Sequence, residues 1–280
     1  MELTLAQIRS RYVDADRPLP KELERSLKDD PRQGAQSILR AIERRRHARR
    51  AEGQRLRKML RFEQDLWAQG VVHVAGVDEA GMSPLAGPVY AGAVVLAPGT
   101  RLVDVDDSKK LTAVDRERLA AVIKESAVAW AVGFATPEEI DRINIYHAGL
   151  LAMRRAVEGL RVVPLHLLLD ARLIKDLAIP QEKIIKGDAR SLSIAAASIL
   201  AKTTRDAVMA ALDQSHPGYG FAKHKGYPVK EHLAALRSLG ACEAHRRSFQ
   251  PVRDALGLPP LPPDHWAQTR GEMGAQAEPG

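Results

Sequence analysis

Four carboxylates stand where apolar runs give out. Asp78 and Glu79 follow the run Val71–Val77 and precede Ala80-Gly81. Asp170 closes His166-Leu167-Leu168-Leu169, and Asp188 follows Lys183-Ile184-Ile185-Lys186 by one glycine. Successive side chains of a strand point to opposite faces, so Asp78 and Glu79 cannot share a core face. Burying bare carboxylates is costly unless a cation or partner compensates them. An Asp-Glu pair before glycine also reads, by itself, as a solvated turn. The other two acids change that weighting. If the three strands are neighbours in one sheet, their ends converge and four acids raise one another's pKa. Divalent ions relieve this repulsion, and two of them make a phosphoryl-transfer site. All-oxygen ligands suit small hard ions such as Mg²⁺ or Mn²⁺. The chain has no Cys pair and no HExxH helix, which argues against zinc. It has neither a phosphate-binding Gly-x-x-x-x-Gly-Lys-Ser/Thr nor a Gly-x-Ser-x-Gly elbow.

The elements that must position these acids are legible from period and punctuation. Strands are expected at 71–78, 89–96, 127–135, 166–170 and 183–186. Helices are expected at about 112–125, 137–160, 191–212 and 230–239. Thr112 and Thr136 sit at N-cap positions, and Pro137 at the first helical position. Ala195-Ala196-Ala197-Ser198 is small enough to bring its helix close to a sheet. Residues 217–228, rich in glycine and aromatics, read as a loop. The alternation predicts an α/β fold with a mixed sheet.

The 280 residues, 45% hydrophobic, suit one sizeable domain with additions or two small ones. The single cysteine, Cys242, excludes an internal disulfide framework. Charges interrupt every apolar stretch, so no membrane span is expected, and the N-terminus lacks a signal-peptide pattern. Net charge is +7 but uneven: residues 1–70 hold 17 Lys+Arg against 11 Asp+Glu. Between Arg40 and Arg61 ten basic residues face only Glu43 and Glu52. Two readings stand for this segment, a nucleic-acid contact and a solvated arginine-rich helix. Its apolar residues Ile38, Ile42, Leu56, Leu60 and Trp67 form a sparse helical stripe over 33–69, weakened at Gly53. The expected divisions are a basic helical N-terminal extension (1–70), a catalytic domain with a helical C-terminal part (71–257) and a flexible tail (258–280).

Several ordered motifs resemble type 2 ribonuclease H, the ribonuclease HII family. They are Gly76-Val77-Asp78-Glu79-Ala80-Gly81 with Pro84–Val89, Asp107-Ser108-Lys109-Lys110-Leu111, Lys186-Gly187-Asp188, and Ile194–Lys202 with Arg205-Asp206. Tyr219-Gly220-Phe221, His224-Lys225-Gly226-Tyr227 and His245–Phe249 complete the set, so the resemblance spans roughly 74–250. It implies a ribonuclease H-like fold with a mixed central sheet flanked by helices. It also implies metal-dependent cleavage of RNA in RNA·DNA hybrids and, within duplex DNA, on the 5′ side of embedded ribonucleotides, as in ribonucleotide excision repair. By the match Asp78, Glu79, Asp170 and Asp188 are the catalytic acids and metal ligands, with Asp188 completing a two-metal Mg²⁺ or Mn²⁺ site. Gly81, Met82, Ser83, Ser108, Lys109 and Lys202 are the expected nucleic-acid contacts, and Tyr227 resembles the tyrosine that stacks on the sugar at an RNA–DNA junction. His224, His232 and His245 read as structural. A cytoplasmic monomer is expected.

The chain departs from the family at three places. Met82-Ser83 stands where the family has Arg-Gly, in the loop that approaches the ribonucleotide and senses its 2′-hydroxyl. Met82 removes a cationic donor, and Ser83 adds a side chain where glycine allows close approach. A lost charge-assisted hydrogen bond is worth roughly 1.5–3 kcal/mol. Val229 replaces a common threonine, and Asp170 is followed by Ala171 instead of glycine. These departures lead to an expectation of intact metal chemistry with impaired recognition. The alternative is a duplex- or hybrid-binding protein on the same fold that cuts little.

Overall fold

The structure is a computed structural model, described for residues 3–175, 177–262 and 264–266; the expected flexible tail lies mostly outside these residues. The chain divides into two compact units, Met1–Arg57 and Lys58–Gly280. In the first, α1 (Leu5–Arg9) continues into a π-helical turn (Ser10–Asp14), followed by α2 (Lys21–Asp29) and by α3 (Gln33–Met59), which runs past the division. Ile8, Tyr12, Leu19, Leu27, Ala35, Ile38, Leu39 and Ile42 form its core. Some of its arginines are internally engaged: Arg46 pairs with Glu24 at 2.7 Å, while Arg45 and Arg49 both pair with Asp16.

The second unit opens with α4 (Arg61–Ala68). The single helix expected over 33–69 is therefore two, broken at Leu60, whose ψ of 2° lies outside the helical range. The break lets α4 lay Phe62, Leu66 and Trp67 on Val74, Leu168, Ile184 and Ile194. Five strands follow: β1 (Val74–Ala80), β2 (Val89–Val95), β3 (Ala129–Ala135), β4 (His166–Asp170) and β5 (Gln181–Ile184). They form one sheet in the order β3-β2-β1-β4-β5. β1 runs antiparallel to β2 and parallel to β4, and β4 runs parallel to β5. β1 starts later than expected and carries both acids inside its last turn of pleat, where Asp78 and Glu79 still pair with Gly92 and Ala91. β5 ends at Ile184, two residues before its expected end, and Asp188 sits on a 3₁₀ turn (Gly187–Ala189).

Helix α5 (Ala113–Ser126) starts at its Thr112 cap, and α6 (Pro137–Glu158) at a Thr136–Glu139 capping box. α7 (Leu192–Ser215), α8 (Phe221–His224), α9 (Lys230–Leu239) and α10 (Gln250–Ala255) complete the chain. α8 and α10 were not expected; each is too short to show a periodic stripe. α6 covers one face of the sheet, joining Ala75, Val77, Ala91 and Ala93 in the main core. α7 covers the other face at backbone distance. A Cβ on Gly76 would stand 2.2 Å from the Ser193 carbonyl carbon, and one on Gly92 2.3 Å from the Ala197 oxygen. Two glycines and the Ala195–Ser198 run thus set the helix-to-sheet spacing. Val229 occupies the N-cap of α9 without a side-chain bond, so the hydroxyl missing there is a helix cap.

Candidate active site

β1 and β4 place their acids by register. Gly76 pairs with Leu168 and Val77 with Leu169, so one residue on, Asp78 and Asp170 lie side by side on the α7 face. Asp188 arrives from the turn before α7. Oxygens of Asp78, Asp170 and Asp188 lie within 4.8 Å of one another. Glu79, one residue out of phase, points to the α6 face, where its Oε1 lies 3.2 Å from Arg172 Nη1. The fourth acid therefore stands at the margin of a three-aspartate group.

Backbone and side-chain donors hold these oxygens. Glu79 N–H donates to Asp78 Oδ1 at 2.8 Å, and Gly187 N–H to Asp170 Oδ1 at 2.7 Å. Ser198 on α7 hydrogen-bonds Asp78 and, at 2.9 Å, Ser108. Burial pushes Asp78 well above the usual carboxylate range, and the charges of Glu79, Asp170 and Asp188 push it further. Burial likewise raises Glu79, against the pull of Arg172. Asp170 is raised by burial against the Gly187 N–H bond, with Asp188 adding to the rise. Partial burial pulls Lys109 down, but its 3.0 Å bond to Asp188 and the surrounding acids outweigh this and raise it.

A divalent cation fits this donor set. The ligands are all carboxylate oxygens, they converge, and their mutual repulsion is what a cation would relieve. Glu79 Oε2, moreover, is buried with no hydrogen-bond partner.

The other expected contacts spread around the acids. Lys109 is exposed and reaches Asp188. Lys202 pairs with Asp206 at 2.8 Å and lies 5.9 Å from the ring of half-exposed Tyr227. Ser83 is exposed and Gly81 buried. Met82 is partly buried, its sulfur 3.6 Å from Arg172 Nη1. Ser108, expected to face phosphate, is 4% exposed and turned inward onto Ser198.

His232 and His245 are buried and hydrogen-bonded, and half-buried His224 lies 2.8 Å from the Tyr219 carbonyl. Cys242 N–H donates to His245 Nδ1, which puts the proton of that ring on Nε2. His245 Nε2–H then donates to His232 Nε2, and His232 Nδ1–H to the Tyr227 carbonyl. The histidine chain thus ends on the backbone of Tyr227.

Three residues here were not among the expected site residues, although Arg246 lies inside the His245–Phe249 motif. Arg246, fully buried, donates to the carbonyls of Gly81, Met82, Pro84 and Gly87, and so shapes the loop bearing Met82-Ser83. Burial and the nearby Arg205 pull its guanidinium down to about 9. Glu63 on α4, also fully buried, accepts from Ser191 Oγ, Ser193 N and Ser193 Oγ at 2.6, 2.9 and 2.6 Å. It caps the start of α7, just after Asp188, from a separate helix. Arg172 is the third.

Adjacent parallel strands of a mixed sheet thus bring aspartates to one end of the sheet beneath a long helix, a layout of the ribonuclease H-like class. The family model described as ribonuclease HII matches residues 75–252, and that of the ribonuclease HII N-terminal domain matches residues 4–67. A ribonuclease HII of Myxococcus xanthus is 62% identical over 260 residues, covering 92% of this chain and 89% of its own. One from an Anaeromyxobacter species is 58% identical over 277 residues, covering 96% and 88%. The crystal structure of ribonuclease H2 from Pyrococcus horikoshii aligns with a TM-score of 0.58 at 29% identity, over 65% of this chain and 96% of that one.

The chain belongs to the ribonuclease HII family. It is a metal-dependent endonuclease that degrades RNA in RNA·DNA hybrids. The N-terminal segment, placed outside the resemblance on sequence motifs alone, is a domain of the same family; its helical, arginine-rich texture offers no short catalytic motif to recognise. No helix among the described residues is long and apolar enough to cross a membrane.

Proposed function

We propose that this enzyme cuts on the 5′ side of ribonucleotides embedded in duplex DNA as well as within hybrids, with Mg²⁺ or Mn²⁺ held by Asp78, Asp170, Asp188 and Glu79. The observation that carries the reading is the convergence of three aspartate oxygens within 4.8 Å beside a basic and aromatic rim. Two divalent ions bound there would acidify the attacking water and stabilise the departing 3′ oxygen, leaving 3′-hydroxyl and 5′-phosphate ends. The protein's own groups do the positioning. Ser198 and the Gly187 N–H aim Asp78 and Asp170. Lys109 reaches over Asp188 from an exposed loop, where it can meet a backbone phosphate. Tyr227, with Lys202 at its ring, offers a stacking surface for a sugar.

The basic helical extension (1–70) is read as an accessory duplex-binding module, whose compact part is 1–57, and 71–257 as the catalytic domain, acting as a monomer in the cytoplasm. Deleting residues 1–57 then weakens duplex binding and flattens its salt dependence; an unchanged salt slope leaves that module without a nucleic-acid role.

The deciding experiment compares a duplex bearing one ribonucleotide with an all-RNA·DNA hybrid, each with Mg²⁺ and with Mn²⁺. Cutting 5′ to the lone ribonucleotide supports the reading. Cutting of the hybrid alone removes junction recognition from it.

A further inference from the structure

On the α6 side of the acids a guanidinium is held in a built recess. Arg172 Nη1 lies 3.2 Å from Glu79 Oε1 and 3.6 Å from Met82 Sδ, and the guanidinium carbon stands 5.3 Å from the Tyr146 ring centre. Two backbone features bring it there. Ala171 adopts a left-handed conformation, φ +55°, directly after Asp170, and Arg172 N–H closes the turn onto the Asp170 carbonyl at 2.7 Å. An alanine in that region is strained, and such strain clusters at working sites. The turn folds the side chain back over the end of β1 instead of letting it follow β4. Gly149 on α6 leaves the room: a Cβ there would stand 3.0 Å from Met82 Sδ and 3.3 Å from Arg172 Nη1.

The recess does not use the whole group. A guanidinium has five N–H donors in a fixed fork, and both contacts go to Nη1. Among the described residues no hydrogen-bond partner takes its Nε or Nη2, and the side chain is 24% exposed. Lys109 flanks the acids through Asp188, and Arg172 flanks them through Glu79. Residue 82, whose side chain ends against this guanidinium, is neutral.

We infer that Arg172 contacts the substrate: its free N–H edge engages the phosphate–ribose backbone of the cut strand on the Glu79 side of the acids, supplying from the β4–β5 connection the cation that Met82 does not. The inference rests on the hybrid-nuclease reading above. It carries a consequence opposite to simple loop repair. An arginine placed at 82 would bring a second guanidinium against Arg172, and like charges in contact repel, so Met82→Arg alone does not help.

The test uses the full chain in four forms: wild type, Arg172→Met, Met82→Arg, and the exchange Met82→Arg/Arg172→Met. Hybrid binding is measured by anisotropy without divalent ion across a salt series, and kcat and KM are measured with Mn²⁺. Arg172→Met is expected to weaken binding roughly tenfold or more, lower the salt slope by about one, and raise KM. Met82→Arg is expected to show no gain over wild type, and the exchange to recover most of the binding lost in Arg172→Met. Arg172 acting only as the counter-ion of Glu79 predicts unchanged binding and salt slope in Arg172→Met. That result overturns the inference, as does an additive gain from Met82→Arg in the wild-type background. A wild-type chain that cuts neither substrate overturns the functional reading as well; wild-type cutting with an indifferent Arg172→Met overturns the inference alone.

Discussion

Replacing Arg246 by lysine should cost nearly as much stability as replacing it by methionine. Arg246 is fully buried, and its three nitrogens reach four loop carbonyls at 2.7–3.2 Å. Burial and the nearby Arg205 pull its pKa down to about 9, a penalty on the charged form. The four charge-assisted bonds, at about 1.5–3 kcal/mol each, act against that penalty. Lysine keeps a buried charge, and a more strongly hydrated one, but carries three donors at a single point. At least one carbonyl is then orphaned and the rest are met at poorer angles, which costs about 2–4 kcal/mol. Methionine removes the charge and its desolvation together with all four bonds, for a net loss of about 3–5 kcal/mol. Urea unfolding at pH 7, with the slope checked for constancy, measures both. A lysine variant within about 0.5 kcal/mol of wild type would refute the claim that the fork geometry holds the loop.

Three further outcomes are expected. Glu63→Ala should destabilise by roughly 1–3 kcal/mol, because Ser193 N–H loses its acceptor at the start of α7; Glu63→Gln, which keeps an acceptor, should lose less, and equal losses in urea unfolding would deny the capping role. The folded-state pKa of His245 is about 4 against 6.5, so below pH 6.5 the unfolded chain binds more protons. Its contribution falls as pH drops from 6.5 toward 4, by about 3 kcal/mol in all; unfolding at pH 7 and pH 5 should show a smaller acid loss in His245→Asn than in wild type, and parallel losses would contradict this. Asp78→Asn removes a buried charge that three other carboxylates repel, so it should raise the metal-free melting temperature while abolishing cleavage and the Mn²⁺-induced thermal shift; a retained shift would place the ion elsewhere.

The central sheet and the strand-end positions of the acids were legible because both depend on local pattern. Period and flanking glycines give β1, β2, β4 and α7, and alternation along β1 already separates Asp78 from Glu79. What was not legible depends on contacts far apart in sequence. Arg172 looks like a surface arginine until the fold brings it to Glu79, and Arg246 is marked only as part of a motif, with no sign that it serves residues 81–87. Glu63 reads as one more charge in a polar helix, and only the break at Leu60 turns it onto α7. Ser108 was read through its motif neighbours as outward-facing, whereas its hydroxyl meets a residue 90 positions away. Val229, in sequence only a replaced threonine, stands at the start of α9 as an N-cap with no side-chain bond.

The loop at 81–87 is held by residues from the C-terminal part of the catalytic domain. Leu85 N–H donates to the Gly226 carbonyl, Gly87 N–H to the Ala244 carbonyl, and Arg246 N–H to the Leu85 carbonyl. Every acid of the cluster has been synthesised by residue 188, whereas the loop that presents substrate to it waits for residue 246. At about 5–20 residues per second, that interval lasts roughly 3–12 s. A nascent chain can therefore hold its metal-binding strands in place while lacking an ordered recognition loop. A chain ending before residue 226 would keep the three aspartates and lack every one of these partners of the 81–87 loop.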